Sequence, residues 1–136
     1  MKKTKNSVAK RRNDTRKLYR FEGERFRGQP IRTIKELRRL GRKIWSAHGR
    51  GQIPPVVAGR GDLYNGRLYS YYDGVRIVLA RNERRKYVLI HEMVHALGHD
   101  DHDAKFIKKY QKLLKRYNSD VREETLGELG RLHGKD

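Results

Sequence analysis

Four of the chain's six histidines fall between positions 91 and 102, in HEMVHALGHDDHDAKF. The first five of these residues, His91-Glu92-Met93-Val94-His95, make an HExxH pattern. Residues four apart on a helix share a face, so both imidazoles can reach one ion. Glu92 stands beside them and can hydrogen-bond a water at that ion without being a ligand. Zinc would lower the pKa of this water toward ~7, and the carboxylate would take its proton during attack on a carbonyl. Glu92 is therefore the candidate catalytic base.

A catalytic zinc site needs three protein ligands and an open position, whereas four closed ligands make a structural one. The chain has no cysteine, which excludes a thiolate site, a zinc ribbon and a disulfide framework. Candidates for the third ligand are His99, Asp100, Asp101 and His102. A helix carries His99 about 12 Å beyond His91 at ~1.5 Å per residue. That is too far for two nitrogens that each sit ~2.1 Å from one metal. The chain must turn at Gly98 and bring a later residue back, and His102 and Asp101 both qualify. Gly98 and Asp101 would complete a metzincin pattern, but the only methionines are Met1 and Met93, so no downstream methionine turn exists. A later glutamate, Glu123 or Glu124, is the remaining alternative.

The pattern around these residues specifies the elements that hold them. Tyr87, Ile90, Met93, Val94 and Leu97 follow one face of a helix, with Asn82 as its expected N-cap and Gly98 at its end. Before it lie short β-like runs at 56–58, 67–72 and 75–80, the last two joined by an Asp73-Gly74 turn. Pro30 and Thr33 precede an amphipathic helical pattern with Ile31, Ile34, Leu37, Leu40, Ile44 and Trp45 on one stripe. Arg38, Arg39, Arg42 and Lys43 lie on its opposite face. Two more helices are expected, over 106–117 and over 121–132 with Ser119 as cap. The order is helix, small antiparallel or mixed sheet, then helices, an α+β domain.

The stretch from His91 to Phe106, with the strand before and the helix after, resembles the SprT-like domain of Spartan-type metalloproteases and the related WLM domain. HEMVHAL is close to the Spartan-type form, and His102-Asp103-Ala104-Lys105-Phe106 looks like the WLM "HDxxF" ending. The resemblance covers roughly 65–115. His102 follows His91 by eleven residues, one more than the usual WLM spacing. It implies a minimal zincin fold with a small sheet on the HExxH helix. It also implies zinc ligands His91, His95 and His102, Glu92 as general base, and proteolysis of proteins crosslinked to DNA. Neither Tyr110 nor Tyr117 is singled out as the group that stabilises the transition state.

Charge supplies a separate argument. Lys and Arg number 34 against 16 acids, a net charge of +18, and residues 1–50 hold 18 of the former against Asp14, Glu22, Glu24 and Glu36. Such asymmetry is the footprint of a polyanion binder, and phosphate contacts by many cations give affinity without sequence preference. The expected partners are DNA or another nucleic acid and a protein substrate, with no membrane; oligomeric state is open. Lys10, Arg11, Arg12, Arg16 and Lys17, together with Arg38, Arg39, Arg42 and Lys43, are the expected nucleic-acid residues. Tyr64, Tyr69, Tyr71 and Tyr72 could stack on unpaired bases. No 18-residue apolar run and no apolar stretch after the basic N-terminus exist, so neither a spanning helix nor a secretory signal is expected. The expected location is intracellular, cytoplasmic or associated with the nucleoid.

Only 35% of residues are apolar, and residues 1–20 are too polar to pack on their own. The expected organisation is a flexible basic arm over 1–20, a zincin domain over 21–118 and a C-terminal helix or tail over 119–136. Three functions follow, the third being a peptidase that uses no nucleic acid, its charge serving solubility or acidic substrates. The first is a zinc endopeptidase acting on nucleic-acid-bound proteins, with an edge strand at 67–72 or 75–80 holding the substrate. The second is a nucleic-acid-binding structural or packaged protein whose zinc site is a staple or a relic. His48 and His133 are expected at the surface, and Trp45 in the core.

Overall fold

The structure, a computed structural model, describes residues 5–64 and 66–133. Expectations that touch residues 1–4 (Lys2 and Lys3 of the basic arm), the Tyr64 side chain and residues 134–136 lie outside the described residues. Five helices are present among those described: α1 (Lys5–Arg25), α2 (Ile34–His48), α3 (Lys86–Ala96), α4 (Ala104–Tyr117) and α5 (Glu123–Gly130). The strands are β1 (Val56–Gly59), β2 (Asp62–Tyr64), β3 (Arg67–Tyr69), β4 (Tyr71–Tyr72) and β5 (Ile77–Ala80). The α+β class holds, and the sheet is mixed. β5 is its centre, parallel to β1 and antiparallel to β4, while β2 and β3 form a separate hairpin. No helix among the described residues is long and apolar enough to cross a membrane.

α2 starts where Thr33 and Glu36 make a reciprocal cap: the Thr33 hydroxyl accepts the Glu36 N–H at 3.1 Å, and Glu36 accepts the Thr33 N–H at 3.1 Å. Its Leu37 and Ile44 enter the core, and Arg39, Arg42 and Lys43 face solvent as the pattern implies, but Ile31, counted on the apolar stripe, lies ahead of the helix and is exposed. Arg38 is exposed too, but its Nε donates to the Val56 carbonyl at 2.8 Å and ties α2 to β1. Trp45 is half-buried, packed against the core with its indole N–H on the Gly51 carbonyl.

The run 67–72 is two strands, not one, and Ser70 is the reason. Its hydroxyl turns inward, donates to Glu83 at 3.0 Å and accepts the Ala80 N–H at 2.8 Å. The turn after β4 is built by Asp73, whose Oδ1 accepts the N–H groups of Val75 and Arg76, so β5 begins only at Ile77. α3 likewise starts later than the sequence suggests, with Arg85 rather than Asn82 at the cap position. α5 starts with Arg122, not Ser119, at its cap. All eight residues from Tyr87 to Val94 are buried, so α3 is the central helix of the domain and not a half-exposed one.

The largest departure is at the N-terminus. Residues 5–20 do not form an unpacked arm; they are most of α1, which crosses the expected boundary at residue 20. Leu18 and Phe21 are buried in the core, and Asp14 and Glu22 are buried with them. The stripe that α1 presents inward, Asp14, Thr15, Leu18, Phe21 and Glu22, is mostly polar. A reading based on apolar periodicity therefore passes over it.

Candidate metal centre

α3 ends in a Schellman turn that shapes the site. The Gly98 N–H bonds the His95 carbonyl at 3.0 Å, the His99 N–H bonds the Val94 carbonyl at 3.3 Å, and Gly98 has φ +111. A side chain at 98 would be strained in that left-handed backbone. The turn folds the His99 carbonyl back onto His95, whose Nδ1–H donates to it at 2.7 Å. Asp103 then caps α4 by accepting the Phe106 N–H at 3.0 Å, which sets His102 just ahead of the helix. Phe106, one turn on, packs its ring 5.0, 4.8 and 4.9 Å from those of His91, His95 and His102. The "HDxxF" run thus supplies a candidate ligand, a cap and an aromatic floor.

The imidazoles converge on one point. His102 Nε2 is 3.1 Å from His91 Nε2 and 3.1 Å from His95 Nε2, and all three lie within 4.8 Å of one another. Ligands at ~2.1 Å around a tetrahedral ion stand about 3.4 Å apart. Each Nδ1 is held from behind: His91 by Glu22 Oε2 at 2.6 Å, His95 by the His99 carbonyl, His102 by Thr15 Oγ1 at 2.9 Å. A carbonyl can only accept, so the neutral His95 carries its proton on Nδ1 and aims the Nε2 lone pair inward. The Glu22 carboxylate orients His91 in the same way and also accepts the Tyr110 hydroxyl at 2.7 Å. Lone pairs so directed are satisfied by a cation. The three histidines can hold one metal ion.

No family model matches the chain, and no curated protein or solved structure is found to be similar to it.

The electrostatics divide the three rings. Burial, reinforced by the positive charge of His91, holds His95 down at about 3 and pushes His102 lower still, so both are neutral donors at neutral pH. Burial also acts to lower His91, but the Glu22 carboxylate outweighs it and raises His91 to about 9, so at neutral pH its Nε2 carries a proton that a metal ion would have to displace. Glu92 is pushed up to about 8, first by burial and then by the Glu22 and Glu83 carboxylates, against the pull of His91. Its wall of the site is a cavity of about 250 Å³ that His91, Glu22, Tyr19 and Tyr69 also line. A carboxyl poised near neutrality, opening into a cavity beside a metal-binding cluster, is suited to moving a proton.

The other expected ligands are elsewhere. Asp101 faces Arg11 at 3.7 Å, His99 contributes its carbonyl, and Glu123 and Glu124 are exposed in the first turn of α5. His102→Ala is therefore expected to cost most of the metal affinity, while His99→Ala and Asp101→Ala leave it within about threefold. Competition against a chromophoric chelator reads the difference, and a loss confined to Asp101→Ala would make Asp101 the ligand.

Three residues escaped the sequence reading. Thr15 and Glu22 lie in the stretch taken as too polar to pack and at its edge, 87 and 69 positions from their histidines. An acid following Leu18 and Phe21 in a basic stretch was the available signal. His133 is not at the surface: it donates to the His102 carbonyl at 2.8 Å, and Asp14 lies 3.6 Å away. His48 is half-buried against the edge of Tyr117. Tyr110 lies behind His91, fully buried on Glu22, and has no access to a substrate.

Proposed function

We propose that this chain is a zinc-dependent endopeptidase of the SprT-like or WLM kind, acting on proteins held on nucleic acid. The observation that carries the reading is the orientation of His91 and His95 by acceptors behind them, with Glu92 opening into the adjoining cavity. Three imidazoles and no thiolate favour zinc with a position left for substrate. Zinc, when bound, supplies Lewis acidity to the scissile carbonyl and a water acidified for attack. Glu92 takes the proton of that water and returns it to the departing amine. Glu22 and Thr15 keep the ligand rings in place.

A purely structural site is the weaker reading. It needs a fourth protein ligand, and among the described residues only three converge. It also gives no use to a buried carboxyl at a cavity wall. Substrate capture by strand addition is open only at the margins of the sheet. β5 is paired on both sides, so the expectation that residues 75–80 could serve is corrected; β4, two residues long, is an edge.

Nucleic-acid binding is supported by the charge of +18 and by Arg12, Lys17, Arg39, Arg42 and Lys43 standing exposed. Lys10 pairs with Asp14 within α1 at 3.2 Å, and Arg11 reaches Asp101, so Arg11 also ties α1 to the loop after α3. Replacing Arg39, Arg42 and Lys43 by Gln is expected to weaken DNA binding. It should also flatten the slope of log K against log salt by up to ~2–3, at ~0.7–0.9 per lost phosphate contact. Metal content should not change. An unaltered slope would take these residues out of the interface. The deciding experiment for the function is zinc analysis joined to cleavage of a DNA-bound protein and of a free peptide. Cleavage of neither by zinc-loaded protein would favour the structural reading.

A further inference from the structure

The cavity beside Glu92 does not end at the histidines. It shares Tyr19, Gly23, Arg27, Arg67 and Tyr69 with an open groove of about 510 Å³ that runs out between α1 and the β2–β3 hairpin. Two regimes of charge meet there. Inside, Glu22 is bound by His91 and Tyr110, and Glu83 by the Ser70 N–H and hydroxyl, leaving the carboxylates satisfied. Outside, the groove is lined by four guanidinium groups, Arg16, Arg20, Arg27 and Arg67, all exposed, against one carboxylate, Glu24. Glu24 stands 3.7 Å from Arg20, so Arg16, Arg27 and Arg67 carry the excess charge.

We propose that this groove is the substrate-recognition site, and that it takes acidic side chains of the peptide segment flanking the scissile bond. The inference rests on the proteolytic reading and adds its substrate class. Because the groove and the cavity where Glu92 stands are continuous, a peptide lying in the groove reaches the cavity, and its side chains held in the groove flank the bond that is cleaved. Guanidinium groups match carboxylates in fork geometry and bind them from several directions. A nucleic-acid strand fits less well. Base stacking needs free ring faces. Here Tyr19 and Tyr69 stack on each other, with centroids 4.6 Å apart and planes 13° apart, and the Arg67 guanidinium lies over Tyr69. The pair forms a rigid neck between groove and cavity. The near-neutral interior places the acidic preference outside the neck, at positions removed from the bond itself.

The test uses full-length, zinc-loaded protein carrying Glu92→Gln, so that binding is read without turnover. Fluorescence anisotropy compares a Glu-rich peptide, its Gln-matched counterpart and a single-stranded thymidine oligonucleotide. The Glu peptide is expected to bind about 3- to 150-fold more tightly than the Gln peptide, the range for three exposed ion pairs. Adding Arg16→Gln, Arg27→Gln and Arg67→Gln should erase that difference while leaving zinc content and the thermal midpoint unchanged. Equal affinity for the two peptides overturns the proposal. So does a preference that survives the triple change. A triple variant that loses the oligonucleotide but keeps the peptide preference assigns the groove to nucleic acid instead. Failure of the protease reading looks different: protein with native Glu92 then cleaves neither peptide, whatever the anisotropy shows.

Discussion

Glu92→Gln should retain its zinc and lose proteolysis by a factor of ~10²–10⁴, the usual contribution of a positioned general base. Gln keeps the volume and hydrogen-bonding outline of the side chain at a position 5% exposed, so the fold should tolerate it. The same substitution has a signature in stability. Burial raises the Glu92 carboxyl from 4.5 to about 8, which means the folded state favours its protonated form. Its contribution is therefore fully present below pH 4.5 and is lost as pH rises through about 8. Metal-free parent protein should lose this increment on moving from pH 5 to pH 8, and metal-free Glu92→Gln should not. A bound dication works in the opposite direction, stabilising the carboxylate, so zinc should flatten the parent's profile. Thermal melts with and without chelator read this, and a single-turnover cleavage assay reads the catalytic loss. Undiminished cleavage by Glu92→Gln would remove Glu92 from the role of base.

How much of this site could be seen in the sequence depends on which kind of information each part carries. His91, Glu92 and His95 are local: four residues of helix bring the two rings to one face, and no tertiary knowledge is needed. His102 required the turn at Gly98, which is also local, since a left-handed residue followed by a capped helix start can point back only a short way. The helix start after Thr33 and the Asp73 turn belong to the same class, and both formed where expected, with Glu36 completing the Thr33 cap in a way the sequence reading did not name. Elements set by long-range contacts were not legible. Ser70 breaks a strand because Glu83 and Ala80 wait across the sheet, and nothing near Ser70 says so. α1 is the clearest instance. Its inward stripe is written in Asp14, Thr15 and Glu22, residues that read as solvated until the histidines they face are known.

That dependence runs in both directions and gives the second large effect. Removing residues 1–20, harmless to a domain that merely carries a flexible arm, should here strip Thr15 from His102 and Leu18 from the core. What remains of α1 is too short to hold Glu22 on His91 as an independent helix. Outer partners of metal-bound histidines typically contribute 10–100-fold to affinity each. Losing both should therefore weaken zinc binding by ~10²–10⁴. The truncated chain could also lose stability, so point variants separate the causes. Glu22→Gln and Thr15→Val should each lower zinc affinity by ~10–100-fold while the helical circular dichroism is kept. Arg12→Gln, on the exposed side of the same helix, should leave it unchanged. By reciprocity, zinc must stabilise the docked state of α1 by the same factor that docking adds to zinc affinity. Amide exchange along residues 8–22 should then slow on metal loading, most strongly near Leu18. Equal zinc affinity in the truncated and full-length chains would return residues 1–20 to the status of an arm.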